Sequence, residues 1–319
     1  MLDQLLAAVP PALCCQTFFL ATAAAVLAVQ ILPRHLRAAL TEYGARRPDD
    51  DSDESRNDKK QSVQSRDLIA SLADLIRRYG QVPHSWFWHY YIVSLSWTVF
   101  WAWQYLFRGS AMETLARAQT QAEAGSDAPS THMGRVFLAW SMLALQGARR
   151  LYECFRVVKP GRTPMLPAHW ILGLAFYTVM NTAVWIHGSG PIIASWKSRD
   201  PPVLLTTRVP LTLALFFTAW FKQYECHRYL ASLKKYTLPS EGLFSHLVCP
   251  HYTCECFIYL AIALMAAPAG SLFNASLLCG LTFVAVNLGV TAHGTKQWYV
   301  DKFGTERVAG KWKMIPFVF

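Results

Sequence analysis

Forty consecutive residues, 256–295, separate Glu255 from Lys296 and carry no Asp, Glu, Lys or Arg. A helix packed on a water-soluble core keeps one polar face, so an uncharged run of this length belongs in lipid. A hydrocarbon core about 30 Å thick takes roughly 20 apolar residues per helix. The run divides at Pro268-Ala-Gly270-Ser271, a turn signal, into segments near Leu247–Ala267 and Leu272–Thr291.

The remainder of the chain follows suit. Of 319 residues, 53% are apolar and 16% are charged, against about 25% charged in soluble domains. Further apolar segments lie at Pro11–Leu32, Trp86–Phe107, Val136–Phe155, His169–His187 and Val203–Phe221. The expected fold class is therefore an all-α integral membrane protein of about seven transmembrane helices. The first segment has no basic start and no clear small-residue cleavage site, so it reads as an uncleaved helix rather than a signal peptide.

Orientation follows from where Lys and Arg collect. Placing the N-terminus outside puts 22 of them in the inner regions and 4 in the outer ones. The N-terminus is thus expected to be lumenal and the C-terminus cytosolic. A basic cytosolic face beside anionic lipid accounts for the net charge of +10 without nucleic acid. Residues 44–67 hold only two apolar side chains, Ala45 and Val63, amid dense charge. They are expected to form a disordered cytosolic loop, so that 1–83 comprises the first helix plus this loop and 84–319 the six-helix remainder.

Eight cysteines lie mostly in or beside apolar segments, where a reduced thiol behaves as a small hydrophobe. His246, Cys249, His251, Cys254 and Cys256 resemble metal ligands, yet they step through a helix start and no second ligand pair exists elsewhere. No metal is expected. Asn274-Ala-Ser276 matches a glycosylation acceptor but sits at a membrane edge.

Ionisable groups inside apolar segments are costly and mark function by default. Gln146, Arg149, Arg150 and Glu153 close the third segment, with Arg149 and Glu153 spaced to pair along one helix face. The bland alternative is that these arginines snorkel to the interface. Glu255 is the only Asp, Glu, Lys or Arg between Leu243 and Thr295, with His251 four residues earlier on the same face. The stretch Lys222–Lys235 reads as a basic cytosolic loop suited to phosphate. Neither a P-loop nor a GxGxxG after a strand is present, so a phosphorylated cofactor would enter the bundle's own cytosolic mouth.

These features occur together with Leu145-Gln-Gly-Ala-Arg-Arg-Leu-Tyr-Glu-Cys154, Gln223-Tyr-Glu-Cys-His227, Gly242-Leu-Phe through Glu255, and the closing Lys313-Met-Ile-Pro-Phe-Val-Phe319. In these pieces, and in Val82–Val93, the chain resembles the steroid 5α-reductase family, most closely its polyprenal reductase branch in the fungal style. The resemblance implies NADPH-dependent reduction of a carbon–carbon double bond conjugated to a carbonyl, with a long-chain polyprenyl lipid as substrate, in the dolichol route that supplies protein N-glycosylation. It also implies the endoplasmic reticulum membrane, a site open to the cytosol, and no obligate protein partner.

Carried over residue by residue, the resemblance makes Glu255 the acid that holds the nicotinamide amide, with His251 near the same ring. Arg150, Arg162 and Lys234 fall on phosphate positions, Gln223 and His227 on polar cofactor positions, and Tyr299 on the C-terminal cofactor tyrosine. His89, Gln146 and Glu255 stand as catalytic candidates, His89 as proton donor. Two departures stand out. Lys296 lies where relatives carry a His, and Gln146-Gly147 occupy the stretch where the steroid enzymes carry a carbonyl-polarising Tyr. On the same fold a steroid enone or an enoyl thioester is the alternative substrate. An isoprenylcysteine-methyltransferase-like enzyme is the alternative class.

Overall fold

The computed structural model describes residues 9–32, 37, 82–124, 131–159, 164–197 and 207–319. The 44–67 loop and Arg162 lie outside the described residues. Among the described residues there are nine α-helices and no strand beyond two isolated bridges. They are α1 (Pro11–Ile31), α2 (Trp88–Leu106), α3 (Ser110–Glu123), α4 (Met133–Arg156), α5 (Pro167–Ile186), α6 (Ser189–Lys197), α7 (Arg208–Ser232), α8 (Pro250–Met265) and α9 (Ala275–Phe303).

Each of the seven apolar segments coincides with a helix. Three of these, α1, α5 and α9, are both long and apolar enough to cross a membrane by length and composition. Helices α1, α5 and α8 open with Pro at the first turn, where its missing N–H removes no bond. Asn274 caps α9, accepting from the Leu277 amide at 3.1 Å and donating to the Ala266 carbonyl at 3.2 Å. It is 1% exposed, so the glycosylation acceptor is consumed by the turn. That turn follows Pro268-Ala-Gly270-Ser271 as expected, with Gly270 at φ +74°, a conformation that favours glycine.

Three boundaries differ from the sequence reading. Helix α7 begins at Arg208 rather than Val203 and continues to Ser232, so most of the expected Lys222–Lys235 loop is helical. Tyr224, Cys226 and His227 continue the 3.6-residue rhythm, which lets the helix outrun its apolar part. Helix α9 likewise extends to Phe303, past Thr291. Two further helices, α3 and α6, fill the expected outer loops and pack on each other. Their sequences are too polar or too short to register as spans.

Helices α7 and α8 pack closely along their lengths, as do α9 with α1 and α2 with α4 and α5. Phe19, Phe176, Tyr259 and Phe283 from α1, α5, α8 and α9 meet in the main core. The C-terminal segment is pinned beside the start of α8. There the amides of Val248 and Cys249 donate to the Trp312 and Lys313 carbonyls at 2.8 and 3.0 Å, and the Trp312 amide to His246 at 2.9 Å. Packing α4, α7 and α8 together positions the site.

Candidate active site

Three helices each aim a polar stripe at a common interior point. On α4 the residues Gln146, Arg149, Arg150 and Glu153 share one face by their three- and four-residue spacing. Gln223 and His227 on α7, and His251 and Glu255 on α8, are both separated by one turn. Side chains so spaced stack on one side of a helix, and none of these faces could be buried in lipid without partners. They are buried against each other instead.

The amide of Gln146 donates to Glu255 Oε2 and to Gln223 Oε1, each at 3.0 Å. Gln223 in turn donates to Glu255 Oε2 and, at 3.2 Å, to the His251 carbonyl. Arg149 bonds Gln146 Oε1 at 2.8 Å, Gln223, and the Trp220 carbonyl, and its guanidinium lies 4.7 Å from the Trp220 ring centre. Arg149 also pairs with Glu153 at 3.5 Å, as the spacing anticipates.

Glu153 is 0% exposed and accepts from Arg150. His227 Nδ1 lies 2.7 Å from Glu153 Oε2 and 2.8 Å from an Arg150 nitrogen. With a proton on Nδ1 the ring donates to Glu153; without it, the ring accepts from Arg150. Arg150 Nε donates to the Tyr91 hydroxyl at 3.1 Å. Two carboxylates and two guanidiniums, Glu153 and Glu255 with Arg149 and Arg150, therefore share one network, so the charges are balanced where they are driest.

Two polar atoms remain without a partner. Glu255 Oε1 makes no hydrogen bond among the described residues, and His251 Nδ1 is buried with no partner among them. A carboxylate oxygen and a ring nitrogen one helical turn apart fit a primary carboxamide such as that of a nicotinamide. This is the one part of a cofactor for which the site shows an unmet hydrogen-bonding need.

The other candidates are distributed around this centre. His89 sits on α2 among Trp86, Trp88 and Trp170, at ring distances of 5.2, 4.1 and 5.9 Å, and its Nδ1 accepts from Trp170 Nε1 at 3.3 Å. It makes no hydrogen bond to the α4–α7–α8 network. Lys234 is exposed just past the end of α7. Tyr299 is half-buried against Val248, Cys249 and Val308 on the inner face of α9. Among the described residues no cluster of three or more His, Cys, Asp or Glu side chains is arranged to hold a metal.

Sequence reasoning passed over Tyr91 and Arg135. Tyr91 gives no signal of its own, since 59 residues separate it from Arg150. Arg135 could have been flagged as a charge inside an apolar segment. It is 4% exposed and fastens the end of α8, donating to the Met265, Ala267 and Leu264 carbonyls at 2.9, 2.7 and 3.3 Å.

Beside the site, α1, α5, α9 and the C-terminal segment enclose a cavity of about 1220 Å³. Its lining includes apolar Val26, Leu172 and Val290 together with His293, Lys296 and Lys313. Burial and the neighbouring charge of Lys296 both hold the Lys313 ammonium below its ordinary value. Leu172 is one turn from Phe176 and Tyr177, and the Tyr177 ring meets that of Tyr91 at 5.7 Å.

An apolar helical bundle with a charge-balanced polar site buried inside it is the architecture of a membrane-embedded enzyme. Residues 170–319 match the family model of the 3-oxo-5-alpha-steroid 4-dehydrogenases. Over 286 residues the chain is 26% identical to the polyprenal reductase of Xenopus laevis, covering 80% of this chain and 88% of that one. It is 28% identical over 260 residues to polyprenal reductase 1 of Arabidopsis thaliana, covering 70% and 77%. It is 31% identical over 171 residues to the polyprenal reductase of Saccharomyces cerevisiae, covering 53% and 60%. Over its C-terminal part the chain is thus similar to the 3-oxo-5-alpha-steroid 4-dehydrogenases, and over most of its length to polyprenal reductases.

Proposed function

We propose that this protein reduces the α-isoprene double bond of a polyprenal, using NADPH, on the route from polyprenol to dolichol. The observation that carries the reading is Glu255. One oxygen of this carboxylate is held by Gln146 and Gln223 while the other is open, inside a bundle whose relatives are polyprenal reductases.

Chemistry selects the aldehyde over the alcohol. Hydride adds to a β-carbon only where the resulting charge spreads onto an oxygen, which an enal provides and an allylic alcohol does not. NADPH supplies the hydride when bound. Glu255 and His251 would hold its carboxamide, and Gln146 and Gln223 fix the carboxylate in place. Lys234, Arg162 and Tyr299, with Arg150 and His227, are the residues proposed for its phosphates and remaining polar groups. Burial of the network keeps water from the reacting carbons and strengthens any donor aimed at the developing enolate.

The cavity between α1, α5 and α9 exceeds the range of about 300–1000 Å³ usual for small-ligand pockets, and its apolar wall of Val26, Leu172 and Val290 suits part of a long isoprenoid. We read all seven apolar helices as spanning the membrane of the endoplasmic reticulum, with the N-terminus lumenal and the site open to the cytosol. In this arrangement α3 and α6 cap the lumenal end, and 1–83 and 84–319 serve as anchor region and reductase bundle.

The test uses purified protein in lipid with NADPH and, separately, a polyprenal and the matching polyprenol. Products are followed by mass. A gain of two mass units from the aldehyde alone supports the reading. Reduction of neither, with a steroid enone turned over instead, overturns the substrate assignment.

A further inference from the structure

Reduction of an enal needs a donor at the carbonyl oxygen, and most donors of the polar network are already committed. Both Gln146 and Gln223 spend their amide groups on each other, on Glu255 and on the His251 carbonyl. Arg149 is held by Gln146, Gln223 and the Trp220 carbonyl. His89 makes no hydrogen bond to the network among the described residues and accepts from Trp170.

Tyr91 differs from all of these. Its hydroxyl accepts from Arg150 Nε at 3.1 Å, yet its own O–H has no acceptor among the described residues. The side chain is 6% exposed, so water does not readily take that role. A buried O–H without an acceptor is an unmet hydrogen bond, and an incoming carbonyl oxygen would meet it. Tyr91 also belongs to the buried aromatic core: its ring contacts Tyr177 of α5 at 5.7 Å. Tyr177 and Tyr259 are neighbouring buried phenols, but neither receives a hydrogen bond from a guanidinium.

We propose that Tyr91 is the catalytic donor to the carbonyl oxygen of the substrate, with Arg150 as the group that stabilises its conjugate base. The assignment rests on the enal-reductase reading above. Hydride from the nicotinamide forms a C–H bond at the β-carbon, and the π electrons move to the carbonyl oxygen. That oxygen takes the phenolic proton, breaking the Tyr91 O–H bond and giving an enol and a tyrosinate. The Arg150 guanidinium, 5.2 Å from the Tyr91 ring centre and bonded to its oxygen, offsets the new charge. The enol then tautomerises: the α-carbon takes a proton from solvent and the enol proton returns to Tyr91. The sum is addition of one hydride and one proton to the double bond, with NADPH oxidised to NADP+.

The test compares the unsubstituted chain with Tyr91→Phe in lipid, measuring polyprenal turnover and NADPH affinity separately. Tyr91→Phe is expected to lower kcat by about 100-fold or more, in the range of a lost proton donor, with the cofactor Kd within twofold. Tyr90→Phe, one residue away with its hydroxyl 3.3 Å from the His169 carbonyl, should leave kcat within about threefold, since a neutral hydrogen bond away from the reaction contributes little to the barrier. A loss of less than tenfold in Tyr91→Phe overturns the assignment while the enal-reductase reading stands. No enal turnover by the unsubstituted chain overturns both. Should Tyr91→Phe fail to fold, 3-fluorotyrosine at position 91 keeps size and shape while being more acidic. It should move the alkaline limb of the kcat profile to lower pH, and an unmoved limb overturns the proposal.

Discussion

The Gln146 amide reaches across from α4 to Glu255 on α8 at 3.0 Å, and Gln223 from α7 meets the same carboxylate oxygen. Two neutral donors on one oxygen orient the acid without neutralising it and leave its second oxygen available. Positioning by amides rather than by a direct cation keeps Glu255 a strong acceptor.

Glu255→Gln is accordingly expected to raise the NADPH KM by tenfold or more while the protein remains folded. A hydrogen bond to a charged group contributes about 1.5–3 kcal/mol, which corresponds to that factor. Steady-state kinetics in lipid, with thermal unfolding as the folding control, checks it. Unchanged KM removes Glu255 from the cofactor site.

Glu153 is buried between two guanidiniums and His227. Glu153→Gln preserves shape but leaves Arg149 and Arg150 undercompensated, and breaking a buried pair costs about 3–5 kcal/mol. The thermal midpoint in detergent should fall by several degrees or more. A midpoint within experimental error of the unsubstituted chain would mean that water reaches this acid.

Arg135 satisfies three carbonyls at the end of α8, groups that no further helical turn can reach. Arg135→Met should destabilise by about 3 kcal/mol, on the scale of charged hydrogen bonds. Arg135→Lys should recover less than half of this, because an ammonium cannot reproduce the fork of a guanidinium. Full recovery by Lys would show that charge alone, and not the planar geometry, holds the helix end.

Glu123 closes α3, accepting from Gln119 at 2.6 Å with His187 at 3.7 Å. Burial alone raises its carboxyl, but hydrogen bonds from His187 and Gln119 and the charge of His187 outweigh that and hold it below its ordinary value. A lowered folded value means stabilisation that is present above the usual carboxylate range and lost as pH falls through the folded value. Unfolding midpoints compared between neutral and acidic pH should therefore converge for the unsubstituted chain and Glu123→Gln. The gap at neutral pH should be at most about 1 kcal/mol for a partly exposed pair. A gap that persists in acid would contradict the ionised role.

The polar stripe of α4 was legible because Gln146, Arg149, Arg150 and Glu153 repeat at helical spacing where lipid forbids charge. Glu255 was legible for the same reason, standing alone in a long apolar stretch. Helices α3 and α6 were not, since an amphipathic 14-residue helix and a 9-residue one look like polar loops until each finds the other. Nor was the length of α7, whose polar second half pays no penalty once it packs on α8.

What the sequence determined by itself is which segments avoid water and which residues within them cannot stay unpaired. Apolar length and helical spacing are local properties, and the transfer free energy of a charge into lipid is large enough to make each exception visible. The tertiary structure alone decided the pairings: Gln146 and Gln223 with Glu255, Arg150 with Tyr91, Arg135 with the end of α8. A residue's spacing states which face of its helix is buried but not which neighbour that face meets. Partner choice depends on how α2, α4, α7 and α8 pack, and on the low-dielectric interior where only compensated groups can remain.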